Sequence, residues 1–199
     1  MKISNCEVFG FKGAIRGMRN PYNSWDKSDS HDEVIGPNDL ELCKKLIKAG
    51  SDHRKFLRMI HVQVDVKAPL YWWKEADTYK VGTVANSCST MHTVTAKKFG
   101  FGDFALGYRD DILSDIIVEL NKLRKEYLET KYKETWYSII RFLPSSYLQL
   151  RTLDLNYETL MRMYFARKNH KLTEWHTFCE WIETLPYMKE FLECAGNQD

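Results

Sequence analysis

The chain has 199 residues, 44% of them hydrophobic and 14% aromatic, which suffices for one core and is short for two; a single domain over residues 1–199 is expected. Its 29 Lys and Arg against 27 Asp and Glu leave a net charge of +2, too weak a field for generic binding to nucleic acid or a membrane surface. Five widely spaced cysteines with no Cys-x-x-Cys pair suggest neither a disulfide framework nor a metal site. No apolar run approaches the ~18 residues of a membrane span, and a reducing cytoplasm is the expected setting.

In chain order, residues 2–9 (KISNCEVF) read as an opening strand, and Ala14, Ile15 and Met18 have helical spacing. PYNSWDKSDSHDEVIG, residues 21–36, is dense in Asn, Ser and Asp and reads as a long surface loop. Asn38 and Glu41 have the spacing of a capping box, opening a helix with Leu40, Cys43, Leu46 and Ile47 on one stripe and its end at Gly50. Ile60, Val62, Val64 and Val66 then alternate with His61, Gln63, Asp65 and Lys67, the period of a strand with one buried and one polar face.

Pro69 suits the first turn of a short helix over LYWWKEA, ending near Asp77. From Tyr79 to Gly102 periodicity is weak, and that segment is expected to wrap a site. Residues 110–142 carry Leu113, Ile116, Ile117, Leu120, Leu123 and Tyr127 at helical spacing, with a break at ETKYKE and an end at Pro144. Residues 147–155 read as a second strand. Asn156 is placed to cap a helix carrying Leu160, Met163, Tyr164 and Arg167, and Thr173 to cap a last main helix with Trp175, Phe178, Cys179 and Ile182, before Pro186.

The chain has no His-Glu-x-x-His, Gly-x-Ser-x-Gly, P-loop or Gly-x-Gly-x-x-Gly, so no catalytic side chain is assigned and no Rossmann turn is expected. Arg167 stands on an apolar stripe and needs an anionic partner, either a carboxylate of this chain or a phosphate. His53, at the end of a Gly-Ser-Asp turn, is either a surface residue or a ligand contact. Ser87, Cys88 and Ser89 offer hydroxyls, a thiol and backbone N–H groups to an anion. Trp72 and Trp73 read as core or subunit interface.

Together these residues resemble the flavin-dependent thymidylate synthases. In that family a His-containing turn leads into a strand ending in a Lys/Arg-Ala-Pro step, followed by a helix, an Arg-His-Arg signature and a Ser; here His53, the strand and Lys67-Ala68-Pro69 keep that order. Leu143-Pro144, Asn156, Leu160, Arg167 and Glu174-Trp175 are similar to the family's later positions, and AIRGMRNPYNS to its Ala-Ala-Arg-Val-Ser segment, so the resemblance spans roughly residues 14–180. The signature itself departs: Arg-His-Arg falls on Thr78, Tyr79 and Lys80, the Ser on Cys88, the preceding Arg and Gln on Lys74 and Glu75, and a Glu on Asn86. An Arg before Leu-Pro is represented by Arg141, about one position out of register.

The resemblance implies an α+β domain with an antiparallel sheet flanked by helices, assembled as a homotetramer with flavin and nucleotide at subunit interfaces. It implies reductive methylation of dUMP to dTMP, with methylenetetrahydrofolate as carbon donor, NADPH as reductant and FAD as hydride carrier. His53, Thr78, Tyr79, Lys80 and Asn156 fall at flavin-binding positions. Lys74, Glu75, Asn86, Ser87, Cys88 and Arg167 fall at nucleotide-binding ones. Tyr71, Trp72 and Trp73 would supply aromatic surface for self-association. Two further readings stay open: a homologue that binds nucleotide or flavin without synthase turnover, and a non-enzymatic oligomeric interaction module.

Overall fold

The alternation that begins at Ile60 is realised as a strand with two unlike faces. In the computed structural model, which describes residues 1–196, β2 (His61–Pro69) buries Val62, Val64, Val66 and Ala68 completely and leaves His61, Gln63, Asp65 and Lys67 at least partly exposed. It pairs within one four-stranded antiparallel sheet with β1 (Lys2–Phe9), β3 (Thr83–Ser87) and β4 (Leu148–Asn156), in the order β1-β2-β4-β3. The fold is therefore the expected α+β class. Polar rungs cross the open face: Asn5 and Thr152 both donate to Asp65, at 2.8 and 2.6 Å, and Gln63 donates to Asp154 at 3.0 Å, which His61 Nδ1 also meets at 2.9 Å. Burial alone would raise the Asp154 carboxyl, but hydrogen bonds from His61 and Gln63 outweigh it and hold its pKa below the usual value. β3, which the sequence reading left inside an irregular segment, carries exposed side chains along most of its length and so shows no alternation.

The chain divides into two compact units whose limits fall inside all four strands and after Thr78. One comprises residues 3–65, 79–85 and 152 onward, and its core is made by helices α1 (Phe11–Arg19), α2 (Pro37–Lys48), α7 (Tyr157–Arg167), α8 (Thr173–Glu183) and α9 (Met188–Gly196). Phe11, Ala14, Ile15 and Met18 are the buried stripe of α1. Gly10 before it is required: its φ is +101°, and a Cβ would meet the Met59 carbonyl oxygen at 2.4 Å. Phe11, Phe56, Tyr157, Tyr187 and Phe191 interlock with centroids 5.5–6.4 Å apart, edge to face except for the stacked Tyr187–Phe191 pair.

Two expected caps are corrected. The N-cap of α2 is Gly36, without a side-chain cap; the Asp29 carboxylate, from the preceding loop, accepts the Asn38 and Asp39 N–H groups at 2.9 and 3.0 Å, so the Asn38–Glu41 box does not form. Thr173 is already the first helical residue of α8, after an extended Leu172, so it does not cap. Asn156 caps α7 as expected, its Oδ1 accepting the Thr159 N–H at 2.9 Å. α9 was not anticipated, and it buries Met188, Phe191 and Leu192.

The other unit comprises residues 1–2, 66–78 and 86–151, with α3 (Leu70–Ala76), α4 (Thr90–Thr93), α5 (Asp110–Thr130) and α6 (Lys133–Phe142). Leu113, Ile117 and Leu120 of α5 pack with Ile139 of α6, Phe99 and Phe104. The break expected in ETKYKE is a left-handed Lys131, φ +56°, whose N–H returns to the Tyr127 carbonyl at 2.8 Å. Trp72 and Trp73 are 0% and 2% exposed with ring centroids 4.8 Å apart, so these two are core and offer no interface surface; Tyr71 is half-buried. The exposed aromatics here are Phe101, Tyr108, Tyr132 and Phe142.

Among the described residues no helix is long and apolar enough to cross a membrane, and no group of three or more His, Cys, Asp or Glu is placed to hold a metal. All five cysteines are free thiols.

Candidate functional site

Where α1 ends, its small residue Gly17 faces Met59, whose Sδ would lie 3.3 Å from a Cβ there, and the space so kept opens into a cleft of about 1050 Å³. Met18, Leu42, Leu46, Phe56 and Met59 give it apolar walls; His53, Lys55, Asp52 and Lys27 give it a polar, net cationic side. A large, mostly apolar cleft with a few charged groups suits a small organic ligand whose polar groups fix its orientation. His53 is exposed on this wall. The neighbouring Arg54 is fixed by a two-pronged pair with Glu158, 2.9 and 3.1 Å, with little exposure on either side chain.

The roof of the cleft includes the loop after α1, and one buried carboxylate organises that loop. Asp39 of α2 is 0% exposed; its Oδ1 accepts Arg19 Nε at 2.6 Å, and its Oδ2 accepts the hydroxyls of Ser28 and Ser30 at 2.7 Å and the N–H groups of Asp29 and Ser30 at 3.1 Å. Burial by itself would raise the Asp39 carboxyl, but the hydrogen bonds from Ser30, Ser28 and Arg19 outweigh it and hold the pKa below the usual carboxylate value. No local pattern announced this hub, because its partners lie 9 to 20 residues away.

Four more of the expected residues, Tyr79, Lys80, Asn156 and Arg167, lie in the same unit. Arg167 is half-buried at the end of α7, donates from Nε to the Tyr79 phenol oxygen at 2.9 Å, and lies over the rings of Tyr79 and Trp175 at 5.5 and 5.0 Å. Tyr79 thus orients a guanidinium. Asn156 packs its amide so close to Gly82 (φ +72°) that a Cβ there would meet Nδ2 at 2.4 Å, and Thr159 donates to the Val81 carbonyl at 3.0 Å. The segment that follows Tyr79 and the exposed Lys80 is therefore anchored on the first turn of α7.

In the other unit, Lys74 is exposed and Glu75 half-buried; the Thr78 hydroxyl turns back onto the Glu75 carbonyl at 2.7 Å. Asn86, Ser87 and Cys88 are exposed at the end of β3, with the Cys88 N–H on the Leu150 carbonyl at 2.9 Å. Gln149 and Arg151 of β4, which the sequence reading did not single out, hold this end: Gln149 Nε2 donates to the Cys88 carbonyl at 3.0 Å and Thr90 Oγ1 at 3.3 Å.

No protein-family model and no curated protein matches the chain. Solved structures do. Flavin-dependent thymidylate synthase ThyX from Helicobacter pylori, in two structures with FAD and dUMP, superposes at a TM-score of 0.77 with 16% identity, covering 98% of this chain and 99% of that chain. The UMP/dUMP methylase PolB from Streptomyces cacaoi, bound with 5-Br dUMP, superposes at 0.62 with 13% identity, covering 98% and 94%. At these identities the likeness concerns the backbone, and the fold of this chain is that of the ThyX structures along nearly its whole length.

Proposed function

We propose that the chain is a divergent flavin-dependent thymidylate synthase that binds FAD and dUMP and methylates dUMP reductively, with methylenetetrahydrofolate as carbon donor and NADPH as reductant. The observation that carries this reading is the superposition over 98% of the chain on a protein solved with both FAD and dUMP. The cleft beside His53 supports it. Its apolar walls exclude water from a planar ring, Lys27 and Lys55 place positive charge for a pyrophosphate, and His53 offers a ring nitrogen at the wall. FAD bound there would supply the hydride transfer that no side chain can perform. None of Thr78, Tyr79, Lys80 and Asn156 lines this cleft, and in this reading they reach the flavin of a neighbouring subunit in the tetramer. Arg167 of one subunit meets the nucleotide phosphate, and Lys74, Glu75, Asn86, Ser87 and Cys88 of another hold the rest of dUMP. The domain spans the whole chain and works as a homotetramer in the cytoplasm.

The test is purification followed by a flavin spectrum and an assay for dUMP-dependent NADPH oxidation and dTMP formation with methylenetetrahydrofolate. Bound flavin with dTMP formed is the expected result; neither flavin binding nor dTMP would overturn the proposal. A second reading, a nucleotide- or flavin-binding homologue without turnover, is favoured by two observations. Arg167 is engaged by a phenol where the family signature has a His, and Thr78 spends its hydroxyl on a helix carbonyl where the signature has a cation. Flavin bound and dUMP raising the melting temperature, with no dTMP, would select it.

A further inference from the structure

β3 is the edge strand of the sheet and only five residues long, and just beyond Ser87 the backbone tie to β4 is a single bond, from the Cys88 N–H to the Leu150 carbonyl at 2.9 Å. A relay of side chains adds to that bond. Trp73 is 2% exposed, donates its indole N–H to the Gln149 carbonyl at 3.1 Å and presents its ring to Arg151, whose Cζ lies 4.2 Å from the centroid. Arg151 reaches Asp77 with Nη1 at 2.6 Å and Gln149 Oε1 with Nε at 3.0 Å. A guanidinium can only donate, so the Gln149 oxygen must face Arg151 and its NH2 must face the other way. There it meets the Cys88 carbonyl and the Thr90 hydroxyl.

We infer that Gln149 is the positioning residue that holds the Asn86–Cys88 segment in its ligand-receiving shape, with Arg151, seated between Trp73 and Asp77, setting the direction of its amide. The inference rests on the proposed role of that segment in nucleotide binding. It explains why a glutamine is needed: the position must accept on one side and donate on the other. Glutamate has the same shape and keeps the first half while reversing the second, since its carboxylate accepts from Arg151 but faces the Cys88 carbonyl with no proton to give.

The experiment is Gln149→Glu in a background carrying Cys6→Ser and Cys194→Ser, because Cys43 and Cys179 are buried and Cys88 is then the sole accessible thiol among the described residues. Three quantities are read: the melting temperature, the rate at which an aromatic disulfide reagent labels Cys88, and the dUMP dissociation constant. The expected result is an unchanged melt, faster labelling and dUMP binding weaker by about tenfold, the order of one lost hydrogen bond. Arg151→Lys, which keeps the charge for Asp77 but loses the stacked fork, should give a smaller change in the same direction. An unchanged Cys88 rate in Gln149→Glu overturns the inference, as does a lowered melt with the buried cysteines labelled too, which would make Gln149 part of the scaffold. A wild-type chain that binds no dUMP counts against the functional proposal alone, and the labelling rate still decides the role of Gln149.

Discussion

Each unit of the molecule secures a loop with an arginine–aspartate pair, and the two pairs are built differently. Arg19–Asp39 is sealed, with side chains 6% and 0% exposed and five hydrogen bonds converging on one carboxylate. Arg151–Asp77 is open, at 15% and 54%, and rests on the face of a tryptophan. A sealed pair cannot lose one partner without stranding the other charge, whereas an open pair can fall back on water. The first belongs to the architecture of the His53 cleft; the second, open to water, is the pair whose removal should leave the chain folded.

The sharpest way to break this contrast is Asp39→Ala, which leaves Arg19 buried without its carboxylate and should cost about 3–5 kcal/mol of stability in a denaturant melt. A cost below about 1 kcal/mol would place the pair with the exposed ones. Acid should show the same asymmetry. The Asp39 carboxyl is held below its unfolded value of about 3.9, so its contribution is fully present above that pH and is lost as the pH falls through the folded pKa. Wild-type stability should therefore drop below about pH 4, and Asp39→Asn, less stable at neutral pH, should drop less steeply. A variant with the wild-type acid slope would remove Asp39 from the account. The smallest effect belongs to Asp77→Ala, about 0–1 kcal/mol by the same melt, with Cys88 labelling nonetheless faster. A loss as large as that of Asp39→Ala would show that the open pair is part of the core after all.

What the sequence announced depended on whether its cause was local. β2 was legible because Ile60 to Val66 alternate across a sheet with one buried face, and α7 because Asn156 caps its own first turn. β3 was not, since an edge strand exposed along most of its length has no face to alternate with. The cap of α2 was misassigned because its acceptor, Asp29, comes from a loop. α9 had a readable stripe in Met188, Phe191 and Leu192, but it lies beyond Pro186, where the helical reading ended.

His53 stands out in the sequence through its place before the strand, and the structure puts it on the wall of the cleft. The walls themselves, Met18, Leu42, Leu46 and Met59, come from three separate segments and carry no signature in any one of them. Gln149 and Arg151 were invisible for a related reason: on a strand they read as ordinary polar positions until Trp73 and Cys88 are brought against them. Tyr79 was read as a lost His, and only the structure shows it engaging Arg167.

The central claim, that the cleft beside His53 receives a flavin, is tested most directly by titrating FAD with the flavin-stripped protein and following the quenching of flavin fluorescence, for the wild type and for Met59→Glu. Met59 lines the cleft yet is 47% exposed, so a carboxylate there should repel an anionic ligand with little effect on folding. The account predicts saturable quenching by the wild type and loss of that quenching, by about tenfold or more in affinity, in the variant. Quenching equal in the two proteins, or none in either, would contradict it.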